Sequence, residues 1–175
     1  MSSEEYVRKA YQCILQNDFE AAIRFFEKAI EADPHHPEVH YRCSVTYARS
    51  HKLDKALEHA DQAVKLEPEK KVYQLHVQHL KAMKAVQQAR RWLEGPNGPE
   101  TSDLYQAVQL LKEAIVLDPL YVEAMIWLAL AYGQLNEYSL AIATIKEAIL
   151  LHPEDDQLTR LLEKLKLELH DYMKK

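Results

Sequence analysis

The chain has 175 residues, 47% hydrophobic and 28% charged, with a net charge of −5; this sustains one continuous core and excludes both a disordered chain and a broadly basic nucleic-acid binder. No run of about 18 apolar residues occurs, and Met1-Ser2-Ser3-Glu4-Glu5 is acidic where an export signal begins basic, so no membrane association and a soluble, cytoplasmic location are expected. Three glycines are too few for phosphate-cradling loops, and two cysteines in separate helical patterns read as buried reduced thiols.

Pro34, Pro68, Pro119 and Pro153 are separated by 34, 51 and 34 residues, and the middle interval is one 34-residue period plus 17. Twelve residues before each proline stands an alanine (Ala22, Ala56, Ala107, Ala141), and five before it another (Ala29, Ala63, Ala114, Ala148). A proline-punctuated period of this length, built from helical patterns, marks stacked helix pairs that hide their apolar faces against their neighbours.

The first repeat covers about residues 3–36. In its second half Ala22, Phe26 and Ala29 follow at i, i+4 and i+7, on one face of a helix. The second repeat, about 37–68, gives Ala56, Ala60 and Ala63 at the same offsets. The third, about 69–119, is enlarged: its first helix is predicted from about Glu69 to Glu94, about 40 Å long and so about 15–20 Å longer than its counterparts. That helix ends at Gly95-Pro96-Asn97-Gly98-Pro99 and is expected to project past the rim of the stack, with the turn-rich segment returning the chain. Which of its residues face the core does not follow from the pattern. The second helix of this repeat is predicted from Leu104 to Leu117, after Ser102-Asp103 as turn formers. The fourth repeat, about 120–153, places Ala141, Ile145 and Ala148 like its predecessors. After Pro153, residues 154–173 carry Leu158, Leu161, Leu162, Leu165, Leu169 and Tyr172 in a single stripe, a closing helix with an apolar inner face.

These residues resemble the tetratricopeptide repeat, whose first helix carries a large residue, leucine, a small residue and tyrosine, and whose second carries alanine, an aromatic and alanine before proline. The fourth repeat matches best, with Met125, Leu128, Ala129 and Tyr132. The first departs, with Lys9 where leucine is usual and Cys13 where the tyrosine falls, as an end repeat with one face to water can. The resemblance implies an all-α, right-handed superhelical solenoid of antiparallel helix pairs with a C-terminal capping helix. It also implies a concave surface, lined by the first helices, that binds a protein or peptide. A bacterial secretion chaperone is similar in size, acidity and repeat-only construction, but the 17-residue insertion is foreign to it.

Stepping along the first helices away from their core positions gives a partner-binding groove of Val7, Tyr11 and Leu15, then Tyr41, Val45 and Arg49, then Ile126, Leu130 and Gln134. Some of these become core if the terminal helix folds back. Co-chaperone members of the family clamp a C-terminal carboxylate with lysine and asparagine, whereas Val7, Tyr11 and Arg42 stand in those places, so that clamp is absent as the family builds it.

Residues 70–93 hold six basic side chains and no acid, leaving 16 basic against 27 acidic residues elsewhere. A second surface is therefore a basic arm of Lys81, Lys84, Arg90, Arg91 and Trp92, docking an acidic protein or phosphates; the alternative is that its cations neutralise acidic neighbours. Nucleic acid is disfavoured, because six cations along this helix make a thin footprint. Self-association through the apolar strip or Leu167 is a third reading. His35, His36 and His40, and separately His76 and His79, lack a closed set of metal ligands, and no nucleophile has an evident base, so neither enzyme nor cofactor is expected.

Overall fold

The computed structural model describes residues 1–96 and 98–174. The described residues form α-helices and turns, with no strand among them. In chain order the helices are α1 (Ser3–Leu15), α2 (Phe19–Ala32), α3 (Pro37–Arg49), α4 (Leu53–Leu66), α5 (Lys71–Leu93), α6 (Thr101–Leu117), α7 (Val122–Gln134), α8 (Tyr138–Leu151) and α9 (Asp156–Met173).

Local chemistry sets the boundaries. The Ser2 hydroxyl accepts from the Glu5 backbone N–H at 3.2 Å while Glu5 accepts from the Ser2 N–H at 2.8 Å, a capping box that starts α1. Asp18 caps α2 through the Ala21 N–H, and Pro37, which has no N–H to lose, opens α3. Each repeat proline stands two residues beyond its helix, and the residue before it donates its N–H to the repeated alanine carbonyl: Asp33 to Ala29, Glu67 to Ala63, Asp118 to Ala114, His152 to Ala148. The turns inside three of the pairs reverse through one left-handed residue, Asn17, His51 or Asn136, with φ of 58°, 57° and 61°.

The chain divides into two compact units, residues Met1–Leu80 and Lys81–Lys175. In the first, the repeated alanines Ala22, Ala29, Ala56 and Ala63 are fully buried, with Phe26 and Ala60 as the variable plugs between them. Ala107, Ala114, Ala141 and Ala148 are equally buried in the second, around Leu111 and Ile145. Cys13 and Cys43 are both free, and burial, followed by the Glu27 charge, pushes the Cys43 thiol up to about 12.

The third repeat differs from expectation in two respects. The long helix does not project as an arm. Tyr73, Val77 and Leu80 are buried in the first unit, while Ala82, Val86, Ala89 and Leu93 join a core cluster of the second with Leu104 and Leu111. The buried stripe jumps by two residues between Leu80 and Ala82, about half a helical turn, because the two halves of α5 serve different cores. The second helix begins at Thr101, one turn before Leu104: Asp103 is not a turn former but accepts from the Glu100 N–H at 3.0 Å inside the first turn. Asn97, in the intervening turn, lies outside the described residues.

Candidate binding pocket

The first unit carries a pocket of about 580 Å³ between α1 and α3. Its lining includes Val7, Tyr11, Phe26 and Val39 as apolar surface and Arg8 and Arg42 as cations. Phe26 comes from α2, where the close alanines Ala22 and Ala29 let neighbouring helices approach and leave its ring at the base of the pocket. Tyr11 meets that ring edge-on, with centroids 5.8 Å apart.

An ion pair, Arg42 with Glu38, stands on the rim. Arg42 donates from Nε to Glu38 at 2.7 Å, and its guanidinium lies 5.4 Å from the centre of the Tyr41 ring. The other Glu38 oxygen accepts from the Tyr73 hydroxyl at 2.9 Å. Burial would raise the Glu38 carboxyl, but the hydrogen bonds from Arg42 and Tyr73 outweigh it and hold the group below its ordinary range. Glu4, Asp33 and His36 complete the polar rim.

Of the groove residues read from sequence, the structure brings Val7 and Tyr11 into this pocket, together with Arg42. Leu15 is 83% exposed and lies outside its lining. Tyr41 packs against Tyr73 and His76, with ring centroids 5.1 Å away in each case, so it supports α5 more than it faces solvent. Val45 is half-buried, and Arg49 lies over Phe19 at 5.8 Å. In the second unit Ile126 packs against two core clusters built around Ile145 and Leu158, because α9 folds onto this side. Leu130 is half-buried and Gln134 exposed.

The basic segment has its own geometry. Arg90 sits 4.9 Å over the Trp127 ring, 3.4 Å from Glu94 and 3.7 Å from Glu123, an arrangement that engages it within the second unit. Lys70 pairs with Glu67 at 3.2 Å. Lys81, Lys84 and Arg91 are exposed. Trp92 is half-buried and lines an open groove of about 420 Å³ with Tyr105, Gln109 and Glu113.

Two features were hidden from a reading confined to the first helices of the pairs. Phe26 and Asp33 belong to the pocket although they follow the turn into α2. The outer side of α6 exposes Tyr105 at 63% and Val116 at 81%, a ridge legible only as the complement of the buried Ala107, Leu111 and Ala114. Among the described residues no three histidine, cysteine, aspartate or glutamate side chains converge as metal ligands, and no helix is long and apolar enough to cross a membrane.

The tetratricopeptide repeat model matches residues 14–82 and 100–165. Among solved structures, the crystal structure of MamA aligns with a TM-score of 0.56 at 20% identity, covering 97% of this chain and 85% of that one. MamA 41-end from Desulfovibrio magneticus RS-1 aligns with a TM-score of 0.58 at 18% identity, covering 98% and 88%. At these identities the likeness is one of fold. A search of the curated proteins finds no match.

Proposed function

Since the chain belongs to the tetratricopeptide-repeat family, we propose that it is a non-catalytic interaction scaffold whose first unit binds a partner protein segment in the pocket between α1 and α3. The observation that carries this reading is the pocket itself, with an apolar base of Val7, Tyr11, Phe26 and Val39 under a polar rim that includes the Arg42–Glu38 pair. Such a site accepts one or two apolar side chains of a helix or extended segment, and each buried one contributes about 1.5–3 kcal/mol. Arg42 and Glu38, already paired in the free protein, set orientation more than affinity. Within the second unit, Leu130 and Gln134 offer a separate candidate contact surface, whereas the packing of Ile126 into the core argues against a direct role for it.

Selection of peptides from a random library by the purified chain tests this. Val7→Glu/Tyr11→Glu should lose at least about tenfold in affinity for the selected peptides, with little dependence on salt. The basic-helix reading makes the opposite forecast: a steep loss with salt and a loss on Lys81→Glu/Arg91→Glu, with Val7→Glu/Tyr11→Glu unaffected. The internal engagement of Arg90 favours the pocket.

A further inference from the structure

Among the described residues the buried polar side chains His40, Ser44 and Thr46 all belong to α3, and Tyr47 is buried beside them. His40, Ser44 and Tyr47 recur at i, i+4 and i+7 and share one face. Each is tied to a different neighbour. His40 Nε2 lies 3.0 Å from the Pro34 carbonyl oxygen, which can only accept, so this nitrogen carries a hydrogen. In neutral His40 the bare Nδ1 is then an acceptor, and His59 Nδ1, 3.3 Å away on α4, must donate to it. Ser44 donates its hydroxyl to the Ala56 carbonyl at 2.7 Å, so its 2.8 Å contact with His76 on α5 is completed by the His76 Nε2–H. The Tyr47 hydroxyl donates to Glu27 on α2, and the Tyr47 ring stacks on His59 at 5.4 Å.

With all three histidines neutral this set is satisfied. One proton added to the His40–His59 pair is tolerated, since a charged ring can donate to a neutral one. A second sets N–H against N–H between two cationic rings whose centroids are 5.5 Å apart. The groups facing His59 are His40 and Tyr47 from α3, Glu27 from α2, and Lys55 and Glu58 from α4. Burial and His40 outweigh the two acids and hold His59 below its ordinary range. His76 faces Ser44 and Tyr41 from α3 and has His79 on its own helix. Burial, and then His79, lower it to about 4.

The second unit supplies an internal comparison. In the matching register, set by Pro34 and Pro119, the places of His40, Ser44, His59 and His76 are taken by Met125, Ala129, Thr144 and Leu161. Ala129 is fully buried, and Leu161 packs against its cluster. An apolar contact thus stands where the first unit has a polar one, and seven of the nine histidines lie in the first unit.

We propose that the first unit is an acid-released clasp: charging both rings of the facing His40–His59 pair sets N–H against N–H and frees α3 from α4, while the second unit, with Met125 and Thr144 at those places, keeps its packing. The sign follows from linkage. His59 and His76, held neutral in the folded state, stabilise it fully above the unfolded value of about 6.5, and this contribution is lost as the pH falls from there toward 4. Because α3 carries Arg42, release would also open one wall of the binding pocket, but the clasp rests on helix packing and stands whether or not that pocket binds a partner.

Hydrogen exchange on the full chain, corrected for intrinsic rates, tests it at about pH 7.5 and about pH 5. Amides of α3 and α4 should lose at least about tenfold in protection at the lower pH, and those of α7 and α8 should keep theirs. The variant His40→Met/Ser44→Ala/His59→Thr/His76→Leu, which carries the second unit's residues, should lose the acid response. Equal losses in both units, no loss at pH 5, or an unchanged response in the variant would overturn the proposal. If the variant does not fold, NMR titration of the wild-type chain decides: His59 and His76 both titrating below about 6.5 supports the clasp, and ordinary titrations of both near about 6.5 refute it.

Discussion

At the scale of single residues, the repeat is enforced by size and by backbone sign. The alanines before each proline are fully buried where helices approach closely, so added volume has nowhere to go. Ala107→Leu should destabilise by about 1–3 kcal/mol in chemical denaturation, with the midpoint falling at unchanged slope. His51 occupies a left-handed conformation, φ 57°, where asparagine stands in the corresponding turns. A β-carbon is strained there, so His51→Gly should raise stability by about 0.5–1 kcal/mol, seen as an increase in Tm. The alanines were legible because their spacing is a direct image of helix packing. The positive φ of His51 was not, since a histidine in a turn announces no backbone sign. His40 and His76 stood out in the sequence only as members of clusters without a complete ligand set; that they are bonding partners of His59 and Ser44 depends on contacts between helices that spacing along the chain cannot express.

Among the elements, α5 carries most of the difference between reading and structure. Its length was plain from the 17 extra residues and the lack of a breaker before Gly95. Its buried face was not, because Tyr73, Val77 and Leu80 belong to one stripe and Ala82, Val86 and Ala89 to another. A single-stripe search averages the two and finds neither, and a long helix with no clear inner face then reads as an arm. The two stripes make a contrast between identical substitutions in one helix. Leu80→Ala, at a fully buried site, should cost about 2–5 kcal/mol, whereas Leu75→Ala, 61% exposed, should stay within about 0.5 kcal/mol. Comparable losses at both would mean that the helix is buried differently from this description. The pocket shows a similar split: Val7 and Tyr11 followed from walking along the first helix, while Phe26 required knowing which way α2 turns its plug.

For the molecule as a whole, an acidic chain with one basic segment poses a choice between an apolar pocket and an electrostatic surface. The charges do not form a single field: Arg90 is drawn to Glu94 and Glu123, Lys70 to Glu67, and Arg42 to Glu38. Exposed pairs of this kind add little to stability, about 0–1 kcal/mol each, but they reduce the net potential available to a polyanion. The function we propose, recognition through buried apolar area, agrees with this distribution. Its most direct test is methyl NMR of the full chain titrated with a library-selected peptide. The account predicts that the Val7 and Val39 methyls shift together and saturably, with the shifts persisting at high salt. Shifts confined to residues 81–93 of α5, or to Val116 on the outer side of α6, would contradict it.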